Sequence, residues 1–242
     1  MRILVVSDIH GNWPALEAVA AATPHDTVLC LGDIVGYGPQ PAACLRWLRA
    51  QGAHVVQGNH DRALADGVPP RCRPDFEWLA AATAGIARGQ LEEEELAFLR
   101  ALPRTLELTL DGKRLLLLHA SPADPLYGYL GPEPDAWRAA TAGIEADMLL
   151  VGHTHLPFHY RFEGIEVLNP GSLGQPKDGD ARAAFAVIEG GVPRLRRASY
   201  PIHRTVAGLR ATGVDGAALD ALSDLLRTGR ARTTAAADKR PA

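Results

Sequence analysis

Cysteine is scarce in this chain. Cys30, Cys44 and Cys72 are the three present in 242 residues, an odd number with no CxxC spacing. A disulfide framework and a thiolate zinc site are therefore excluded as organising devices, and reduced thiols in the cytoplasm are the expectation. Cys30 lies in an apolar run and reads as a core residue. Long apolar stretches are lacking too: none approaches the ~18 residues that span a bilayer, and the chain enters a strand-like run at Arg2 without a charged segment or apolar leader. No membrane contact is expected. A basic excess is also missing. The formal net charge of −3 argues against a large nucleic-acid surface. A small phosphorylated substrate stays open, because a metal site brings its own positive charge.

The 47% hydrophobic and 22% charged content is that of a globular chain, and the length suffices for one domain with a full core. Strand and helix alternate through the first sixty residues. Strand-like runs at 2–7, 27–31 and 54–57 flank helical patterns at 13–22 and 41–51, the first with Pro14 in its opening turn. This βαβαβ rhythm predicts parallel strands covered by helices, with ligands gathering beyond the carboxyl ends of the strands. The stretch 62–104 changes character. Helical patterns at 75–89 and 92–102, the second opening on four glutamates that suit a helix N-terminus, predict a helical insert beside the site. Strands dominate from Thr105. Hairpins are predicted around Asp111-Gly112, Glu163-Gly164 and Gly190-Gly191, together forming a second, mostly antiparallel sheet, with a helix at 137–145 and a buried strand at 148–151. A helix at 214–227 closes the domain, 1–227, and 228–242 reads as a loose tail.

Five of the nine histidines sit in polar clusters at strand exits: His10, His60, His119, His153 and His155. Asp8-x-His10 and His153-x-His155 each place two ligand types two positions apart, which an extended strand exit would turn to one side. Asp33 follows Gly32 at another strand end, and His119 ends the apolar run 115–118. Each pair alone is weak; five clusters at strand ends point to metal. Carboxylate and imidazole without thiolate suit Mn, Fe, Zn, Co or Ni. Asp8, His10, Asp33, Asn59, His119, His153 and His155 are too many ligands for one tetrahedral ion and suit two sharing a carboxylate.

Ser7-Asp8-Ile9-His10-Gly11-Asn12, Gly32-Asp33-Ile34-Val35-Gly36, Gly58-Asn59-His60-Asp61, His119 and Gly152-His153-Thr154-His155 together resemble the calcineurin-like metallophosphoesterases. Asn169-Pro170-Gly171-Ser172 resembles the small bacterial phosphodiesterases among them. The resemblance implies an α/β (α+β mixed) fold, a four-layer sandwich of two mixed β-sheets flanked by helices, with two divalent ions at one edge, Mn first among the candidates. It further implies Asp8, His10 and His155 on one ion, Asn59, His119 and His153 on the other, and Asp33 bridging. His60 is implied beside the leaving oxygen, with Asp61 either orienting it or capping a helix. Two divalent ions less two carboxylates leave a net +2, enough to attract phosphate and to bring a bound water from pKa ~15.7 toward ~7.

Family members that act on phosphoproteins, and symmetrical diadenosine tetraphosphate hydrolases, carry Asp-Arg where this chain has Gly36 and Tyr37, so that loop offers neither an acid for His60 nor a guanidinium for phosphate. Arg62, Tyr37 and Asn12 are the remaining candidates for substrate contact, against alternatives of a solvated arginine, packing on the insert and bracing of the loop. The expected activity is hydrolysis of small phosphodiesters such as cyclic nucleotides. A phosphomonoesterase, a dinucleoside polyphosphate hydrolase or a non-catalytic metal scaffold are the alternatives, and a homo-oligomer stays open.

Overall fold

The alternation read in the first sixty residues folds as β1 (Arg2–Val6), α1 (Trp13–Ala22), β2 (Thr27–Cys30), α2 (Pro41–Ala50) and β3 (His54–Val55) in a computed structural model that describes residues 1–231. Asn12 caps α1 by accepting from the Ala15 amide, and Pro14 and Pro41 open their helices where no backbone donor is needed. β1 pairs with β2, and β2 with β3, all in parallel.

The region 62–104 is helical, as expected, and the helices begin three residues earlier. α3 (Asn59–Asp66) starts directly on the third polar cluster, followed by α4 (Pro74–Arg88) and α5 (Glu93–Ala101), which Glu92 and Glu95 cap reciprocally. The second half contributes β4 (Thr105–Leu110), β5 (Lys113–Leu118), α6 (Pro134–Ala140), β6 (Met148–Leu150), β7 (Phe158–Phe162), β8 (Ile165–Asn169), β9 (Ala183–Glu189), β10 (Val192–Ala198), α7 (Ile202–Ala211) and α8 (Gly216–Thr228). Asp111 and Gly112 both adopt positive φ, 52° and 74°, as the tight turn between β4 and β5 demands. Most of the expected tail, from residue 232 on, lies outside the described residues.

Two five-stranded sheets result, ordered β10-β9-β1-β2-β3 and β4-β5-β6-β8-β7. This corrects two expectations. The β9–β10 hairpin joins the first sheet, through antiparallel pairing of β9 with β1, and not the second. The second sheet is evenly mixed: β4–β5 and β7–β8 are antiparallel, while β5, β6 and β8 run parallel.

The packing makes four layers. Ile3, Val5, Leu29 and Leu31 of the first sheet meet Leu115, Leu117, Met148, Leu150 and Leu168 of the second in a shared interior. The first sheet's other face, with Leu4, Val6, Val28 and Cys30, carries α1, α2 and α5 through Leu16, Leu45, Leu48 and Leu99. The second sheet's outer face carries Trp137 of α6. Burial on both faces explains why β1, β2 and β6 read as unbroken apolar runs. α4, α7 and α8 form a separate cap around Tyr37, Phe76, Leu79, Leu209 and Leu222. Six strands, three per sheet, run parallel and end at one edge of the sandwich.

Candidate metal centre

The side chains at that edge converge. Asp8 and His10 follow β1, Asp33 follows β2, Asn59 and His60 open α3 just beyond β3, His119 follows β5, and His153 and His155 follow β6. The mechanism of convergence differs from the extended i, i+2 spacing inferred above. Asp8, His10, Asp33, His153 and His155 have φ of 52°, 47°, 54°, 66° and 62°, five of the eight non-glycine residues with positive φ among the described residues. Each such residue costs on the order of 1–3 kcal/mol, a strain that marks a functional loop. Backbone hydrogen bonds hold the kinks: the His10 amide donates to the Asp33 carbonyl at 2.9 Å and the Gly152 amide to the His119 carbonyl at 2.8 Å.

Two groups form. Asp8, His10 and His155 make one, Asp33, His119 and His153 the other, each with its ligand-type atoms within 4.8 Å of one another. In the first, His155 Nε2 lies 3.3 Å from Asp8 Oδ1 and 3.2 Å from His10 Nε2. In the second, His119 Nε2 lies 3.5 Å from Asp33 Oδ2, 3.0 Å from Asn59 Oδ1 and 3.2 Å from His153 Nδ1. Asp33 Oδ2 is also 3.8 Å from His10 Nε2, so one carboxylate oxygen faces both groups.

Backbone carbonyls fix the imidazoles. Nδ1 of His10, His119 and His155 faces the oxygen of Val35, Leu31 and Gln175 at 3.0, 2.7 and 2.6 Å. A carbonyl only accepts, so each Nδ1 carries the hydrogen and each Nε2 turns a lone pair inward. His10 Nε2 and His155 Nε2 then confront one another lone pair to lone pair, and Asp8 Oδ1 beside them is buried with no hydrogen-bond partner. Such a concentration of buried acceptors is unfavourable unless a cation lies among them. The donor set fits two divalent ions with nitrogen and oxygen preference. The chain's own positive charges there are a proton on an imidazole and the Lys177 ammonium, 3.5 Å from His155 Nε2. Against its burial, Asp33 holds His119 up to about 9, whereas burial pulls His10 and His153 down to about 3.

A ring of supports surrounds the ligands. Ser7 Oγ donates to Asp8 Oδ2 at 2.6 Å, and the His153 amide donates to the same oxygen at 3.1 Å. Ser172 Oγ donates to the Asp8 carbonyl at 2.8 Å, and Asn169 Nδ2 to the Gly152 carbonyl at 2.8 Å, which gives the Asn169-Pro170-Gly171-Ser172 stretch its place. Several glycines here are sterically required, two of them against Ser7 and His60. A Cβ on Gly152 would overlap Ser7 Oγ, and one on Gly36, at φ 91°, would stand 2.7 Å from His60 Nδ1.

The candidates beyond the ligands separate. His60 is buried at the start of α3, its amide donating to Asp33 Oδ1 at 2.8 Å and its ring 4.7 Å from the Tyr37 ring, facing the cleft. Asp61 does not orient it. The Asp61 carboxylate accepts from the amides of Asp33, Ile34, Val35 and Gly58 at 2.8, 2.9, 3.2 and 3.0 Å, so it caps α3 and ties the Asp33 loop. Arg62 is paired with Asp66 at 3.3 Å and with the Tyr127 hydroxyl at 3.1 Å, and it is not among the residues that line the cleft. Asn12 braces, as Nδ2 donates to the Gly174 carbonyl at 2.8 Å and Oδ1 accepts from Thr205 Oγ1 at 2.8 Å. Tyr37 packs edge-on against His10 and Phe76 and lines the cleft.

That cleft, of about 170 Å³, has walls that the sequence reading passed over: Cys72, Arg73 and Phe76 at the start of α4, Tyr129, and Lys177 from the loop before β9. Burial lowers the Lys177 ammonium to about 8. A signal was present in Gln175-Pro176-Lys177 directly after the Asn169–Ser172 motif, but a lone loop lysine carries no periodicity.

Residues 1–190 match the family model of the calcineurin-like phosphoesterase superfamily domain. A crystal structure of a metallophosphoesterase from Sphaerobacter thermophilus superposes with a TM-score of 0.80 at 31% identity, over 95% of this chain and 100% of that one. An uncharacterised protein of Methanocaldococcus jannaschii is 34% identical over 208 residues, 77% of this chain and 82% of its own. The phosphodiesterase YfcE of Escherichia coli is 28% identical over 199 residues, 79% and 89% of the two chains. The chain belongs to the calcineurin-like phosphoesterase superfamily. It is a metal-dependent phosphoric ester hydrolase, built on two neighbouring groups of metal-ligating residues.

Proposed function

We propose that the protein hydrolyses small phosphodiesters, cyclic nucleotides among them, with Mn as the resident metal. Asp8, His10 and His155 would hold one ion, Asn59, His119 and His153 the other, and Asp33 both. The observation that carries the reading is Asp33 Oδ2, placed 3.8 Å from His10 Nε2 and 3.5 Å from His119 Nε2, between two sets of inward lone pairs. When bound, two divalent ions supply Lewis acidity to the phosphate oxygens and a hydroxide near neutral pH.

The chain's own residues do the rest. The carbonyls of Val35, Leu31 and Gln175 keep three imidazoles in the ligating tautomer. His60 lies at the N-terminus of α3, where the helix dipole and its own ring face the leaving oxygen. Burial holds His60 down to about 4, so near neutrality it is uncharged and offers the leaving oxygen one N–H hydrogen bond. The narrow cleft favours a phosphate with compact substituents over a folded protein segment. YfcE, matched along 89% of its length, is a phosphodiesterase, which supports the diester preference.

Residues 1–227 are read as one catalytic unit whose insert 62–104 forms a cleft wall through α4. Three free cysteines, two of them buried, are consistent with the reducing cytoplasm. No helix among the described residues is long and apolar enough to cross a membrane. Parallel assays of the Mn-reconstituted protein on bis-p-nitrophenyl phosphate and p-nitrophenyl phosphate test the assignment. Faster turnover of the diester is expected, and no hydrolysis of either ester overturns it.

A further inference from the structure

Lys177 has no part in the metal-ligand scheme, and its surroundings are unusual for an ammonium group. It lies in the loop between β8 and β9, three residues past Gly174 and two past Gln175. That loop is fastened on both sides. The Leu173 amide donates to the Ser7 carbonyl at 2.9 Å and the Gly174 amide to the Asp8 carbonyl at 3.1 Å. The Gln175 amide donates to Ser172 Oγ at 2.8 Å, and the Gln175 carbonyl accepts from His155 Nδ1 at 2.6 Å. Lys177 therefore leaves a backbone already locked to the first ligand group.

From there its side chain reaches back into the cleft. Nζ lies 3.5 Å from His155 Nε2 and 3.9 Å from the centroid of the Phe76 ring. No carboxylate lies within ion-pair distance of it among the described residues, whereas Arg73, the arginine that lines the cleft, is paired with Asp75 at 3.1 Å. Asp8 and Asp33 attract it from beyond ion-pair distance, but both belong to the metal-ligand groups, and a ring face recovers only part of the cost of removing an ammonium from water. Its one nitrogen neighbour, His155 Nε2, is an atom that a cation would claim, so that contact gives no lasting partner. A flexible four-carbon stem with three donors, anchored at its base and unpaired at its tip, suits an anion that comes and goes.

We infer that Lys177 is the residue of this chain that holds a non-bridging oxygen of the substrate phosphate, as a positive charge in the cleft that His60 also lines. The inference rests on the phosphoesterase reading of the site, and it adds the group that recognises the phosphate itself. The ligand class is a phosphate or phosphate ester with at least one anionic oxygen. Phe76, from the start of α4, positions the ammonium and does not touch the phosphate.

The test compares wild type with Lys177→Met, which keeps the apolar stem against Phe76, and Lys177→Arg, which keeps the charge. Inorganic phosphate is titrated calorimetrically into each Mn-loaded protein, bound Mn is counted by elemental analysis, and turnover of bis-p-nitrophenyl phosphate is recorded separately. A charge-assisted hydrogen bond to phosphate is worth on the order of a 10- to 100-fold change in affinity. Lys177→Met is expected to weaken phosphate by that factor and to raise KM for the diester, with two Mn retained, while Lys177→Arg recovers most of the affinity. Unchanged phosphate affinity in Lys177→Met overturns the inference. So does loss of Mn from that variant, which would make Lys177 a support for His155. Phosphate binding is read without turnover. A wild type that binds phosphate through Lys177 yet hydrolyses no ester would refute the proposed function and leave this inference standing.

Discussion

Replacing Asp61 by Asn separates two roles that were both open for it. In the structure two backbone amides point at each carboxylate oxygen: Ile34 and Val35 at Oδ1, Asp33 and Gly58 at Oδ2. An asparagine amide presents one oxygen and one NH2. Whichever way it is turned, two buried N–H groups face another donor. Each buried donor left without an acceptor costs about 1–3 kcal/mol, so Asp61→Asn is expected to lose about 2–6 kcal/mol. At about 2–4 °C per kcal/mol for a chain of this size, the fall in melting temperature is roughly 4–24 °C. The Asp33 amide is one of the two at Oδ2, so the Asp33 carboxylate should also shift and Mn should bind more weakly. Calorimetric melting of the metal-stripped protein, with Mn titration alongside, reads both effects. Were Asp61 an orienter of His60, the variant would melt within a degree or two of wild type, hold two Mn normally and lose only kcat. That pattern refutes the capping assignment.

Three further outcomes are expected. His60→Ala should lower kcat on the diester by about 10²–10³-fold with two Mn retained, since the ring donates no ligand; metal analysis showing less than two Mn would make it one. Chelation should abolish hydrolysis and added Mn should restore it, whereas activity that survives exhaustive chelation contradicts the ligand scheme. Gly152→Ala drives a methyl group into Ser7 Oγ and to 2.9 Å from Asp8 Oδ2, so the first ion should be lost before the second; stepwise Mn titration resolves this, and two equal affinities as in wild type count against the packing argument.

The strand-exit clusters were legible because each couples a short apolar run to Asp, His or Asn, four of the five with a glycine alongside, all within ten residues. α1 was legible to the residue, Pro14 in its opening turn being a local signal, whereas the Asn12 cap was not read. The sheet that owns the β9–β10 hairpin was not. Gly190-Gly191 specifies that the two strands pair with each other, but the partner on the other side is β1, matched as Arg2 with Glu189, and nothing local encodes a neighbour so remote in sequence. For Arg62 the sequence left substrate contact and a solvated arginine side by side, and the partner the fold gives it is Asp66, one helical turn on. Lys177 escaped for the opposite reason, since an isolated loop lysine looks solvated until the chain closes around it. The left-handed kinks at Asp8, His10, Asp33, His153 and His155 were hidden as well, because aspartate and histidine at a strand end imply no particular φ.

Each ligand group draws on both halves of the sandwich. Asp8 and His10 come from the first sheet and His155 from the second; Asp33 comes from the first, His119 and His153 from the second. His10 and His155 are 145 positions apart along the chain. Divalent ions at this rim would therefore act as removable rivets between layers otherwise joined by apolar side chains and a few hydrogen bonds such as His119 Nδ1 to the Leu31 carbonyl, in a protein with no sulfur bridge to do that work. Stripping the metal should then let one edge of the stack breathe while the far edge stays shut, and amide exchange would be fastest in the loops after β1 and β6.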